Sequence, residues 1–283
     1  MLDGPWVRAL FAGQQPDGSF GHHPYHKWQG AHWRLVSLVE LEVPAGEPRA
    51  VAAAETVLGW LTGHGHRARI QVIGGLTRRC GSQEGNALAV CCRLGMADDP
   101  RVQLLASSLI EWQWPDGGWN CDKEATGHRS SFNESLPPMW GLHEYAQATG
   151  SADAAAAAGR VAKLLLEHRL FRIHGTGEPI HEQWVQLRYP PFWHYEILQA
   201  LHVLSRMGRV TDPRAADALD LVEACRRPDG TWAANGYWWY PPGTDRPNTE
   251  AVDWGRGGPH PMLTLNALRV LKSAGRWSGT AAT

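Results

Sequence analysis

Several classes of protein are excluded by what this sequence of 283 residues does not contain. Lys and Arg number 27 against 28 Asp and Glu, and no run of like charge occurs, so the basic face of a nucleic-acid-binding protein is missing. No apolar stretch approaches the roughly 18 residues of a membrane span. No Gly-Lys-Ser/Thr sequence offers a phosphate-binding loop. The sequence therefore predicts neither a nucleic-acid partner nor a membrane-spanning segment.

Cysteine is scarce and does not follow a disulfide pattern. The five cysteines are odd in number and irregularly spaced, and the first residues lack the basic and apolar blocks of a signal peptide. Both features favour a reducing compartment, so we expect a cytoplasmic protein. Phe is scarce too, whereas the 15 Trp outnumber the 6 Tyr and 5 Phe together, which is more Trp than a helical core requires.

Two short motifs repeat along the chain and reveal its organisation. The tripeptide Pro-Asp-Gly occurs three times, and an acid-Pro-Arg triplet also occurs three times. In two repeats the proline of the triplet precedes the proline of the tripeptide by 15 residues, which indicates copies of one structural unit. The tripeptides begin at Pro16, Pro115 and Pro228, and the triplets begin at Glu47, Asp99 and Asp212.

Each repeat predicts a pair of helices followed by a long loop. The acid-Pro-Arg triplet is typical of a helix start, and an amphipathic stripe follows it. A second kind of helix, apolar on nearly all sides, is expected to be buried. Amphipathic outer helices are predicted near 3–14, 47–62, 99–113, 151–168 and 212–226. Buried inner helices are predicted near 29–42, 84–95, 133–149, 194–207 and 260–274.

The alternation predicts an all-α fold, an α/α toroid of about five helical hairpins with an inner and an outer ring. The whole chain, 1–283, would form one domain whose repeats lie near 1–46, 47–98, 99–150, 151–211 and 212–283. The first segment starts where an outer helix is due, and the last inner helix is left free to pair with it, which favours ring closure. The alternative is an open helical solenoid.

The segment Gln113-Trp114-Pro115-Asp116-Gly117-Gly118-Trp119 resembles the Gln-Trp repeat of squalene–hopene cyclases and of the related toroid in protein prenyltransferase β subunits. Weaker copies lie at 15–20 and 227–232. The resemblance implies a small enzyme acting on an isoprenoid or another small, partly apolar metabolite in a central cavity. The Asp-X-Asp-Asp motif with which class II terpene cyclases protonate their substrate is missing from the sequence, which speaks against that particular chemistry.

The same resemblance suggests a zinc site. In prenyltransferase β subunits an Asp and a Cys before one inner helix, with a His that opens a later one, hold catalytic zinc. The segment 192–195 resembles the surroundings of that His, whereas 127–132 occupies the place of the Asp-X-Cys segment without containing either residue. The predicted metal ligands are Cys121, Asp122, His128 and His194. The alternative is a polar loop with an ordinary buried cysteine and two hydrogen-bonded histidines.

Other loop residues are candidates for proton transfer or substrate contact. The predicted catalytic residues are Asp122, His194, Tyr195 and Asp253, and the predicted substrate-binding residues are Trp193, Trp238, Trp239, Tyr240 and His260. The aromatic members could stack an isoprenoid or a sugar through their π faces, or could serve only in packing. Asp253 and His260 have helix capping as their alternative role. Glu134, at the end of an inner helix, is interpreted as a cap.

Two other functions stay open on the sequence alone. The first is a carbohydrate-active lyase or glycosidase, since α/α toroids also host such enzymes, but no pair of facing carboxylates stands out. The second is a non-catalytic binding ring that pairs with another subunit. Fold resemblance by itself does not select among these functions.

Overall fold

The computed structural model describes residues 2–277 and is all-α, as predicted. The predicted outer helices form at α1 (Pro5–Phe11), α3 (Pro48–Thr62), α6 (Pro100–Trp112), α8 (Ala152–Glu167) and α10 (Ala216–Ala224). The predicted inner helices form at α2 (Ala31–Glu40), α5 (Gly81–Arg93), α7 (Phe132–Thr149), α9 (Ile197–Arg206) and α11 (Pro261–Ser273). These ten helix positions are confirmed, whereas the toroid arrangement with its inner and outer rings, ring closure, the single domain and the repeat boundaries stay predictions.

The sequence analysis did not predict several short secondary-structure elements in the loops. A one-turn helix α4 (His64–Arg67) is followed by an antiparallel hairpin of β1 (Gln71–Ile73) and β2 (Leu76–Arg78). The sequence suggested only a long loop here, because strands of three residues are too short to show an alternating pattern. Two 3₁₀ turns cover Glu182–Val185 and Pro213–Ala215.

The acid-Pro-Arg triplets cap their helices by one shared mechanism. In each triplet the carboxylate accepts a hydrogen bond from a free backbone amide of the first turn, and proline occupies a position that needs no amide donor. The arginine of the triplet then binds the same carboxylate, at 2.9, 2.6 and 2.7 Å. The capping bonds are Ala50 N to Glu47 at 2.8 Å, Arg101 N to Asp99 at 2.8 Å and Arg214 N to Asp212 at 2.9 Å.

The first two Pro-Asp-Gly turns are fastened to the amphipathic helix of the next repeat, α3 and α8 respectively, which lies beyond the loop and the buried helix that follow the turn. Gly18 and Gly117 have φ of +84° and +103°, and a Cβ on Gly18 would lie 2.2 Å from the Ala52 carbonyl oxygen. Glycine is required there by both its backbone conformation and the close approach. A glutamine amide completes each fastening: Gln14 donates to the Arg49 carbonyl at 2.8 Å, and Gln113 donates to the Ala157 carbonyl at 3.0 Å.

The chain divides into two compact units. Unit 1 comprises Met1–Val161 and Trp239–Asp253, and unit 2 comprises Ala162–Trp238 and Trp254–Thr283. In unit 1 helix α5 packs against α2, α3, α6 and α7, and in unit 2 helix α9 packs against α10 and α11. None of the helices in the described part of the chain is long and apolar enough to cross a membrane.

Helices α5 and α7 approach each other closely because glycines line their contact. A Cβ added to Gly85 would lie 2.3 Å from the Pro138 nitrogen, and one added to Gly141 would lie 2.4 Å from the Gly85 carbonyl oxygen. At Gly81, the first residue of α5, an added Cβ would lie 2.8 Å from the Glu134 carbonyl oxygen. The N-terminal turns of the two helices are therefore held side by side.

Candidate metal and thiol site

Three side chains with metal-binding atoms converge where α5 and α7 begin. Cys80 is the N-cap residue of α5, Glu134 lies in the first turn of α7, and Cys121 lies in the loop between α6 and α7. One ligand atom from each of the three lies within 4.8 Å of the other two. Among the described residues, Cys80, Cys121 and Glu134 form the group of His, Cys, Asp or Glu side chains whose spacing is compatible with a bound metal ion.

A backbone contact aligns the two cysteines. Arg78, at the end of β2, forms a parallel bridge with Asn120, and the Arg79 amide donates to the Asn120 carbonyl at 3.1 Å. The two segments therefore run side by side immediately before Cys80 and Cys121. Both cysteines keep partial exposure to solvent.

A hydrogen bond links the two thiols and distributes their protons unequally. It lowers the pKa of Cys121, which accepts the bond, and together with burial it raises the pKa of Cys80. Cys121 Sγ also lies 3.8 Å from Glu134 Oε1. Of the two thiols, Cys121 is therefore the one whose deprotonation this arrangement favours.

The Glu134 carboxyl group is enclosed although the residue keeps some exposed surface. Burial raises its pKa, against the hydrogen bond that Oε2 accepts from the Ser82 amide at 3.0 Å. Ser82 is the second residue of α5, so Glu134 caps the neighbouring helix and not its own. Its position next to Cys121 makes it available as a ligand or as a proton carrier.

A buried ionic network supports the site from the α5 side. Glu84, of which 1% of the side chain is exposed, lies 2.7 Å from the Arg79 guanidinium and 3.1 Å from His66 Nε2. Arg79 also contacts His66 and donates to Gln83 Oε1 at 2.6 Å. A buried carboxylate needs such partners because removal from water disfavours its charge. The network fixes Arg79, the residue immediately before Cys80.

Tyr25 packs against other aromatic rings beside this network. Its ring centroid lies 5.0 Å from that of Trp33 and 5.4 Å from that of Trp60, and Trp60 in turn meets His66 edge to face at 4.9 Å. The Tyr25 hydroxyl is hydrogen-bonded to Gln83 and near enough to Glu134 and Cys80 to sense their charges. Burial is the main cause that raises the pKa of Tyr25, so its phenol is neutral at physiological pH.

The donor set of Cys80, Cys121 and Glu134 fits zinc. Two thiolates and a carboxylate are among the ligands zinc accepts, and three protein ligands with an open fourth position are typical of catalytic sites. Tetrahedral zinc with sulfur at about 2.3 Å and oxygen at about 2.0–2.2 Å separates the two ligand atoms by roughly 3.5–3.7 Å. The separation of 3.8 Å between Cys121 Sγ and Glu134 Oε1 is close to that spacing.

Two of the predicted ligands lie in the same loop as Cys121 but make other contacts. Asp122 is exposed, and its Oδ1 accepts a hydrogen bond from the Glu124 amide at 3.0 Å. His128 is exposed, with Nδ1 2.9 Å from the Thr126 carbonyl oxygen. Neither belongs to the group with metal-compatible spacing among residues 2–277.

The fourth predicted ligand, His194, lies in unit 2 inside an aromatic stack. Its ring centroid is 3.9 Å from that of Trp193 and 3.8 Å from that of Trp238, with an angle of 3° to the Trp238 plane. The Arg188 guanidinium lies over the Trp238 ring, 4.3 Å from its centroid. The His194 Nδ1 atom is 3.1 Å from the Pro191 carbonyl oxygen. Two Trp rings therefore cover both faces of the imidazole.

Two further predicted residues of unit 2 are engaged in structural contacts. The Tyr195 hydroxyl donates to the Leu170 carbonyl at 2.6 Å, and burial raises the pKa of Tyr195 well above its usual value. His260 is buried at the N-cap of α11 and accepts a bond from the Leu263 amide at 3.4 Å. Burial lowers the pKa of His260 to about 4.

The remaining predicted residues lie in the 239–253 segment of unit 1. Trp239 is buried in the core with 1% exposure, whereas Tyr240 is exposed and carries Arg246 over its ring at 5.0 Å. Asp253 is exposed. The roles predicted for these residues are not tested by their positions alone.

Sequence reasoning identified Cys121 but missed its companions. Cys80 lies in a segment interpreted as a loop, and Glu134 was interpreted as a helix cap. The signals that connect them are the short hairpin before Cys80 and the glycine spacing of α5 and α7, which bring together residues far apart in sequence.

Comparison with known proteins adds little. No family model matches the chain, and no curated protein matches it. A crystal structure of a protein from Actinoplanes is similar over 94% of this chain and 81% of that chain, with 17% sequence identity and a TM-score of 0.43. This likeness is too weak to support any transfer of fold or function.

Proposed function

We propose that this chain is a zinc-dependent enzyme acting on a small, partly apolar metabolite, with Cys80, Cys121 and Glu134 at its reaction centre. The observation that carries the proposal is the convergence of two sulfurs and a carboxylate oxygen within 4.8 Å. The Gln-Trp-like repeats support the terpenoid cyclase and prenyltransferase class of α/α toroid as its scaffold, and the closed ring and cytoplasmic location belong to the same proposal.

Within this proposal each side chain has a distinct task. Cys80 and Cys121 anchor the metal through sulfur, and Glu134 supplies the oxygen ligand. Zinc supplies Lewis acidity and lowers the pKa of a bound water or thiol. The Tyr25 ring offers an apolar contact for substrate, and its neutral hydroxyl can donate a hydrogen bond beside the reacting group. The Arg79–Glu84 pair holds the residue before Cys80 in place.

Metal analysis of the purified chain tests this proposal. We expect about one equivalent of zinc after reconstitution with zinc chloride and removal of excess metal. Cys121→Ser should lose most of it, and Cys80→Ser or Glu134→Gln should weaken binding by at least about tenfold, as expected when a metal site loses one of its ligands. Cys225→Ser, Cys91→Ser and His194→Ala are the matched controls that should keep it. A wild-type chain without stoichiometric metal, or a Cys121→Ser variant that retains it, would contradict the proposal.

A metal-free acid–base enzyme acting on carbohydrate is the second candidate, and one observation favours it. Burial is the main cause of the raised pKa of Glu134, and the Glu84 charge adds to it. A buried carboxyl group whose pKa is raised, with a second carboxylate nearby, has the character of a general acid. Glycoside or polysaccharide cleavage that survives chelation, and that Glu134→Gln abolishes, would select this candidate.

A further inference from the structure

The cysteine pair of the site has a second chemical possibility that does not require a metal. The Cys80 and Cys121 thiols are hydrogen-bonded to each other, and their ligand atoms lie within 4.8 Å. Neighbouring extended segments lie about 4.8 Å apart, and a disulfide requires a Cα separation of about 4.4–6.8 Å. The parallel bridge between Arg78 and Asn120 places the backbones before the two cysteines at such a spacing. A bond between the two sulfurs therefore needs side-chain rotation and no new backbone path.

The two thiols are also partly accessible, in contrast to Cys91 of the helical pair in α5. Cys80 and Cys121 are both partly exposed, whereas Cys91 is buried inside α5. Cys91 and Cys92 are consecutive helical residues whose side chains point in different directions. Burial also raises the pKa of Cys91, so that thiol stays protonated. An oxidant in solution therefore meets the Cys80–Cys121 pair in a reactive arrangement.

We infer that Cys80 and Cys121 form a reversible disulfide bond with each other. The oxidant is a low-molecular-weight disulfide such as glutathione disulfide. The Cys121 thiolate attacks one sulfur of the oxidant and releases the first glutathione thiol. The Cys80 sulfur then attacks Cys121 Sγ of the mixed disulfide, the new protein disulfide forms, and the second glutathione thiol leaves. Two electrons pass from the cysteine pair to the oxidant, and the two thiol protons leave with the two glutathiones.

Oxidation and metal binding would exclude each other, a consequence that rests on the proposed function. The same two sulfurs are two of the three proposed zinc ligands, and a disulfide has no thiolate to offer a metal. Zinc should therefore protect the pair from oxidation, and oxidation should release zinc. The disulfide itself needs only the two thiols, so it can form whether or not the chain binds metal.

The test treats the chelated full-length chain with glutathione disulfide and measures intact mass, free thiols and the linked peptides. We expect a peptide that joins Cys80 to Cys121, with loss of these two thiols and of two hydrogen atoms, all reversed by dithiothreitol; a single glutathione on the exposed Cys225 is counted separately. Cys80→Ser should instead gain one glutathione at Cys121, and Cys121→Ser should form no internal disulfide. Cys225→Ser is the matched control and should still form the bond.

Two outcomes overturn the inference: glutathione adducts without an internal disulfide in the wild-type chain, or a bond that joins other cysteines. Peptide mapping of the wild-type chain gives this answer even if a serine variant fails to fold. Preincubation with zinc chloride distinguishes the inference from the proposed function. If zinc slows oxidation at least about tenfold, both the disulfide inference and the proposed zinc site are supported. If the Cys80–Cys121 bond forms at equal rates with and without zinc, the disulfide inference is kept and the zinc site is contradicted.

Discussion

The cysteine site of unit 1 and the His194 stack of unit 2 both collect side chains that metals favour, but they hold them differently. In unit 1 the sulfurs of Cys80 and Cys121 and the Glu134 carboxylate are directed at one another. In unit 2 the faces of the His194 ring are covered by Trp193 and Trp238 at 3.9 and 3.8 Å. The difference shows that residue type alone does not bring metal-binding atoms together, since, among the described residues of these two sites, only those of unit 1 place theirs within 4.8 Å of one another.

The largest effect is expected from the ionic network that supports the cysteine site. Glu84→Gln removes the countercharge of Arg79, which is 12% exposed, and should lower the free energy of unfolding by about 3–5 kcal/mol, as is typical when one partner of a buried pair is lost. Urea denaturation measures the change. Glu167→Gln is the matched control, since its pair with Lys163 spans 3.7 Å and is largely exposed. Equal, small losses in both variants would contradict the role of the network.

The next effect concerns the close approach of α5 and α7. Gly85→Ala places a Cβ 2.3 Å from the Pro138 nitrogen, so the helices must separate, at a cost of about 3 kcal/mol. The same variant should bind less zinc, because Cys80 and Glu134 move apart with their helices. Gly59→Ala in α3 is the control: its added Cβ meets nothing within 4 Å, and Ala should stabilise the helix by up to about 1 kcal/mol. A Gly85→Ala chain as stable as wild type would contradict the contact.

A pH titration compares a buried histidine of each unit. Burial lowers the pKa of His32 in unit 1 to about 3 and that of His260 in unit 2 to about 4, from 6.5. The unfolded chain therefore takes up protons first, and the stability contributed by each neutral ring is present above pH 6.5 and falls as pH decreases toward 4. The slope should reach up to about 1.4 kcal/mol per pH unit for each histidine.

Denaturation at several pH values with His260→Gln and His32→Gln measures these slopes. Each variant should show a shallower loss of stability between pH 6.5 and 4 than the wild-type chain. A wild-type chain whose stability is constant over that interval would contradict neutral burial of both rings.

The smallest effect is expected in the aromatic stack. His194→Ala should lower the free energy of unfolding by about 1–2 kcal/mol, because it removes a ring packed between two indoles, and should leave zinc content unchanged. His128→Ala, at an exposed position of unit 1, is the control and should change neither quantity. Zinc loss in His194→Ala would instead restore His194 to the ligand set predicted from the sequence.

The helices could be predicted from the sequence because their signals are local. Pro48, Pro100 and Pro213 each follow an acidic cap, and the turn glycines end the amphipathic stripes, so helix positions follow from residues a few places apart. The all-α fold therefore emerged from the repeat alone.

The candidate site could be predicted only in part because its members meet through tertiary contacts. Cys121 carried a signal of its own as a loop thiol, whereas Cys80 and Glu134 join it through the Arg78–Asn120 bridge and the α5–α7 contact. Three-residue strands and glycines inside helices carry weak sequence signals. Likewise, the stacking of His194 between tryptophans depends on Trp238, 44 positions away in the chain.

The glutamine bridges at the first two turns have a consequence for how these loops can change. Gln14 and Gln113 tie each turn to α3 and α8 respectively, helices that come after the loop and the buried helix in the sequence. From Gly18 to Ala31 is 13 positions, from Gly117 to Phe132 is 15, and from Gly230 to Pro261 is 31. Since each bridge fixes the turn against that helix without using a loop residue, the loop between them can take up insertions and new side chains while the helix alignment is kept. Grafting loops between the first two repeats is thus a practical route to new chemistry on this scaffold.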